Sequence, residues 1–342
     1  MPNQFSPEDH IRYLAEFVKG VELSGMTTPH VSMTVASMAA LNDPLEKLWF
    51  AGCYALTYNW PTAERIFLEW RPADFNTADF LMWTEDNWAG IFLRKERKAV
   101  LRKPFFAESA SSYLEFARWL LQQDSWPVGY LDALEMFTSK CRYMGRYIGI
   151  RWMEVMRRAF DTGWEMPDVR SDGGEHPRKA LALMYPEDAD ALLGGNSKQE
   201  IRIADLAADR CLLDLRVEFG LTLGYYDLQS LLCEYKQSVL GKKQYPGKSI
   251  DTEMDYFRKV YGYWGEEKAD ESTFYQVRAE CFPDFSRGEQ SGWAGVRKEL
   301  GAALVNHGLT WSDAVYDYAA TTDLASPVLR DPAVTSLLDL MT

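Results

Sequence analysis

Apolar residues return every three or four positions along most of this chain, the spacing that puts them on one face of an α-helix. In "SPEDHIRYLAEFVKGVEL" the apolar set is Ile11, Leu14, Phe17, Val18 and Val21, with Ser6 placed to cap and Pro7 at the first helical position. "PTAERIFLEW" opens in the same way after Asn59 or Trp60. "TEDNWAGIFLRKERKAVL", "SSYLEFARWLLQQ", "RYMGRYIGIRWMEVMRRAF", "KQEIRIADLAADRCLLDLRVEF" and "SIDTEMDYFRKVYGYW" carry the same period. No convincing run alternates with period two, and no hairpin dipeptide joins two such runs. The expectation is an all-α, multi-helical fold of a dozen or more helices, without the fixed repeat of a solenoid.

The pattern is interrupted most strongly at "GWEMPDVRSDGGEHPRK", residues 163–179, by two prolines and adjacent glycines. This is either a surface loop or a division of one helical unit, 1–342, into lobes 1–165 and 177–285. Residues 286–342 then read as a C-terminal helical extension. The chain of 342 residues is long enough for one large domain or two modest ones.

Composition narrows the chemistry. Aromatic residues reach 14%, with Trp 12 and Tyr 18, which fits flat ligands, stacked bases or a large helical core. The net charge of −13 argues against coating nucleic acid without sequence preference, because that affinity comes from neutralising phosphates. A local basic patch remains compatible with DNA. Four scattered histidines and five cysteines without C-x-x-C spacing make a metal site unexpected and suggest reduced thiols. No apolar run approaches the ~20 residues of a membrane span, and the N-terminus lacks a signal-peptide pattern. A cytoplasmic protein with no membrane partner is expected.

The stretch "GKKQYPGKS", Gly241–Ser249, is one residue longer than a Walker loop. A helical pattern precedes it instead of a strand, and Pro246 removes a backbone donor. Nucleotide hydrolysis is thereby excluded. Lys242, Lys243 and Lys248 ahead of a helix capped by Ser249 form either an anion site or a solvated basic turn. Just upstream, Glu234 lies on the shoulder of an apolar helical face, where partial burial would suit a general base or the charge would reach out to water. Asp251 and Glu253 follow in the first turn of the next helix, where the dipole alone favours acids.

Three other clusters carry candidate chemistry. Arg94, Lys95, Lys98, Arg102 and Lys103 make a basic stretch that reads as a DNA-backbone contact or a solvated face. Arg142 and Arg146 stand four apart, with Arg151 beyond, and Gly145 and Gly149 lie between them; phosphate binding or close helix packing would explain the arrangement. Tyr54, Tyr58 and Asn59 are groups that stack on a base and hydrogen-bond its edge, or else core residues and a cap.

Taken together, "CYALTYNWPTAERIF", "YMGRYIGIRWMEVMRRAF", "HPRKALALMYPE" and "YYDLQSLLCEYKQ…YPGKSIDTEMDYFRKV" resemble the phage α-glutamyl/putrescinyl-thymine pyrophosphorylases, the amino acid:DNA transferases of thymine hypermodification. The resemblance covers roughly residues 30–265 and implies kinship with helical DNA glycosylases, although their glycine-rich hairpin signature is missing. It implies an enzyme of the infected bacterial host's cytoplasm, working after a hydroxymethyluracil DNA kinase. Such an enzyme replaces the phosphate of 5-phosphomethyluracil in DNA with the amine of an amino acid or polyamine, without cofactor or metal. Under this resemblance Tyr54, Tyr58 and Asn59 hold a flipped base. Arg142, Arg146, Arg151, Lys242, Lys243 and Lys248 hold phosphate. Glu234 deprotonates the amine, and Asp251 or Glu253 binds it. The alternatives are a base-flipping enzyme of the glycosylase type and a non-enzymatic acidic helical interaction protein.

Overall fold

The computed structural model describes residues 6–23, 28–94, 103–169, 175–194, 197–239 and 248–265. Among them the fold is all-α, with thirteen α-helices, two short 3-10 turns and no strand. None of the helices is long and apolar enough to cross a membrane. The described residues fall into two compact units.

The first unit holds residues 6–23, 166–169, 175–194, 197–239 and 248–251. Its helices are α1 (Pro7–Leu23), α9 (His176–Met184), α10 (Ala189–Leu193), α11 (Lys198–Phe219) and α12 (Tyr225–Val239). Ser6 caps α1 as its position suggests: its hydroxyl accepts from the Asp9 N–H at 3.1 Å. At α11 a capping box closes between Ser197 and Glu200, and Gly220 ends the helix in the left-handed conformation at φ 72°. The apolar positions Leu14, Phe17, Val18, Leu228, Leu231, Leu232 and Tyr235 meet in one core.

The second unit holds residues 28–94, 103–165 and 252–265. Its helices are α2 (Pro29–Ala40), α3 (Pro44–Thr57), α4 (Trp60–Glu69), α5 (Thr77–Asn87), α6 (Lys103–Leu121), α7 (Tyr130–Lys140) and α8 (Arg146–Phe160), joined by α13 (Lys248–Trp264) from Thr252 onward. Helix α3 is central, buried from Leu48 to Thr57. Asp43 caps its start, with Pro44 beside it, and Tyr58 ends it at φ 51°. Only Tyr58 and Asn59 separate α3 from α4, and Asn59 is already the next cap: its Oδ1 accepts from the Thr62 N–H at 3.0 Å. Helix α6 crosses α3 where Gly52 leaves room; a Cβ there would sit 2.1 Å from the Tyr113 ring. The Tyr113 hydroxyl donates to the Leu48 carbonyl and accepts from the Trp152 indole, both at 2.8 Å, tying α3, α6 and α8 together.

Three local expectations change. The stretch "TEDNWAGIFLRKERKAVL" is not one helix: α5 stops at Asn87, a 3-10 turn covers Trp88–Gly90, and residues 91–94 are non-helical. Arg142 and Arg146 do not share a helix. Arg142 lies in a turn with Tyr143 at φ 56°, and α8 starts at Arg146 behind Gly145 as its cap. Of Gly145 and Gly149, Gly149 alone lies inside a helix, and packing explains it, since an added Cβ would lie 2.6 Å from Leu134 Cδ1. Ser249 lies inside the first turn of α13, which is described from Lys248.

Candidate functional site

Helices α2, α3, α8 and α13 bring a set of polar side chains into the apolar interior of the second unit. Glu253 is 0% exposed. An isolated carboxylate so buried would be costly, and Arg94 supplies the opposite charge through its Nη2. Arg94 follows the 3-10 turn, where its N–H donates to the Thr57 carbonyl at 3.2 Å. Its guanidinium lies over Tyr58, 5.1 Å from the ring centre, and near Tyr256 at 5.6 Å.

His30 enters from the first turn of α2. Its ring stacks on Tyr54 at 6.0 Å and meets Tyr58 edge-on at 5.2 Å. Nδ1 stands 3.7 Å from Glu253 Oε1. On the other side, Arg151 of α8 donates to Glu154 at 3.2 Å and lies over Tyr147 at 5.3 Å. Tyr147 in turn packs edge-on against Tyr58. Two guanidiniums thus face two carboxylates across an aromatic frame, and the set is formally neutral when His30 is uncharged.

Burial sets the protonation of this group. It drives the His30 imidazole well below the ordinary histidine range, and the charges of Arg94, Arg151 and Arg158 push the same way. Burial also pushes the Tyr54 and Tyr58 phenols well up, so both stay neutral donors. For Arg151 burial opposes the charge, but the group is nevertheless raised above its usual value, with the Glu154 carboxylate beside it, and stays a cation.

Several of these groups have no hydrogen-bond partner among the described residues: both His30 ring nitrogens, the Tyr54 hydroxyl, the Asn59 amide nitrogen, Arg94 Nε and Glu253 Oε2. Buried polar atoms are nearly always satisfied, so such a concentration points to a ligand or ordered water. The group reaches solvent at Arg94, Tyr147 and Tyr256, which are partly exposed. No set of three metal-ligating side chains occurs among the described residues.

Of the residues singled out by sequence, Tyr54, Tyr58, Arg94, Arg151 and Glu253 come together here, and Asn59 adjoins Tyr58. Arg142 and Arg146 are exposed. Lys103 begins α6, where its amine donates to the Glu85 carbonyl at 3.2 Å. Glu234 lies half-buried on α12 of the first unit. Its neighbour Lys236 is buried and meets His176 Nδ1 at 2.8 Å. Lys95, Lys98, Arg102, Lys242 and Lys243 lie outside the described residues, as do the side chains of Lys248 and Asp251. The four described cysteines are free thiols.

His30 and Glu154 escaped the sequence reading. A signal for His30 existed: "PHVSMTVASMAA" has no Asp, Glu, Lys or Arg in twelve residues, so its histidine had little chance of facing water. In comparisons with protein-family models, with curated proteins and with solved structures, nothing matches this chain.

Proposed function

We propose that the chain is a DNA base-hypermodification transferase, which replaces the phosphate of 5-phosphomethyluracil with the amine of an amino acid or polyamine. The observation that carries this reading is the buried Glu253–Arg94–His30 group, with its unused hydrogen-bonding capacity inside an aromatic frame. The sequence resemblance supplies the substrate class. A base extruded from DNA presents a flat face and an imide edge. Tyr54 and Tyr58 offer aromatic surface, and the Tyr54 hydroxyl and Asn59 amide offer hydrogen bonds.

The reaction has two electrostatic demands. The incoming amine is protonated near neutral pH and must lose a proton before it attacks. Glu253 is the carboxylate assigned to that step. The departing phosphate needs cations, and Arg94 and Arg151 can hold its oxygens through charge-assisted hydrogen bonds. Arg94 already neutralises Glu253, so substrate phosphate would compete for Arg94 and release the carboxylate for the amine. DNA phosphorylated by a hydroxymethyluracil kinase is the substrate on this reading.

The test incubates the protein with phosphomethyluracil DNA and a panel of amines, followed by digestion to nucleosides and mass spectrometry. An amine adduct accompanied by released phosphate supports the transferase. Free base without an adduct assigns a glycosylase-type reaction instead, and neither product with any amine rules out both.

A further inference from the structure

Helices α2 and α13 place one imidazole beside one carboxylate. The 3.7 Å between His30 Nδ1 and Glu253 Oε1 is too long for a hydrogen bond. It is short enough for a proton to cross after a small rotation or through one water. Neither ring nitrogen nor Glu253 Oε2 has a hydrogen-bond partner among the described residues, and Oε1 is paired with Arg94 until substrate phosphate draws that guanidinium away. The ring is held by its contacts with Tyr54 and Tyr58. The titratable and charged groups around it are Glu253 from α13, Arg94 after the 3-10 turn, Arg151 and Arg158 from α8, and Tyr54 and Tyr58 from α3. The guanidiniums and the positive end of α2 disfavour an imidazolium until an anion enters.

We infer that His30 is the proton relay of this site, taking from Glu253 the proton that Glu253 removes from the incoming amine and delivering it to the departing phosphate. This rests on the transferase reading. The ammonium gives one proton to the Glu253 carboxylate, leaving a neutral amine and a carboxylic acid. The acid passes that proton to His30, restoring the carboxylate and forming an imidazolium. The amine lone pair forms the C–N bond at the exocyclic methylene as the C–O bond breaks, its electron pair leaving with the phosphate oxygen. The imidazolium then protonates the phosphate, and the secondary ammonium product retains the other two protons of the original ammonium. Phosphate is what makes the imidazolium tolerable, because its negative charge offsets the nearby guanidiniums.

The experiment has two arms. In the first, His30→Asn is expected to lower kcat by about a hundredfold, the lower end for acid–base catalysis. KM for DNA should stay unchanged, the acidic limb of the pH–rate profile should flatten, and added imidazole should restore turnover in His30→Gly. Unchanged kcat and pH profile in a folded His30→Asn protein would overturn the relay. The second arm needs neither histidine variant nor turnover: the ring of His30 is titrated by nuclear magnetic resonance in the unmodified chain and in Glu253→Gln. A displaced titration supports the pair, and an identical one overturns it even if transfer is observed. A displaced titration in a protein that transfers no amine would remove the transferase reading and leave the proton-sharing pair in place.

Discussion

Each unit buries a histidine, and the two are treated in opposite ways. In the first unit, His10 Nδ1 lies 2.9 Å from the Tyr235 hydroxyl, which itself donates to the His10 carbonyl at 3.0 Å. A hydroxyl has one proton; with that proton on the carbonyl, the imidazole must donate through Nδ1. One tyrosine thereby answers both groups of one residue. In the second unit, His30 stacks on Tyr54, yet neither its nitrogens nor that hydroxyl has a hydrogen-bond partner among the described residues. The same residue pair is a finished structural joint in one place and unspent bonding capacity in the other. Burial therefore does not identify a site; burial combined with unmet polarity does.

The largest break in this contrast is Glu253→Ala. It leaves Arg94 without its charge partner and should cost about 3–5 kcal/mol, read as a lowered urea midpoint, with loss of transfer. Next is Tyr235→Phe, which removes both hydrogen bonds to His10 and should cost about 1–3 kcal/mol while leaving transfer kinetics unchanged.

The pH dependence of stability is a smaller effect with a definite sign. The folded His30 binds protons only well below the ordinary histidine range, whereas the unfolded chain begins to bind them at about pH 6.5. Stability is therefore fully present above that pH and falls as the pH drops below it. Urea titrations between pH 7 and 5 should show a shallower decline in His30→Asn than in the unmodified chain. The smallest change is expected from Tyr54→Phe. Losing a hydroxyl without a partner should alter stability by no more than about 0.5 kcal/mol, while transfer drops at least tenfold if that hydroxyl holds the base. Equal stability losses in Tyr54→Phe and Tyr235→Phe would erase the distinction between the two units.

Local signals in the sequence carried most of the helices. The three-four spacing of Ile11, Leu14, Phe17, Val18 and Val21 needs no partner to be read, and Ser6 and Pro7 mark the start chemically. The turn at Arg142–Gly145 was not legible, because Tyr143 is left-handed and tyrosine has no preference for that conformation. The site was half legible. Tyr54, Tyr58 and Asn59 stood out through their density of recognition groups. Glu253 looked like one of several acids placed by the helix dipole, and nothing local distinguishes it from Asp251 or Asp255. Its burial comes from packing between segments far apart in the chain.

That separation also sets an order of events during synthesis. Helices α2–α8 are all made by Phe160, but Thr252 follows Glu165 only after roughly ninety further residues, several seconds of translation at ~5–20 residues per second. Through that interval the nascent second unit has Arg94 but no Glu253, and Trp60 without the Phe257 that later packs on it. A chain truncated within that interval would have a nearly complete helical scaffold with the Arg151–Glu154 pair but no Glu253 to face Arg94. Docking of α13 is thus the step at which the unit both closes and acquires its chemistry.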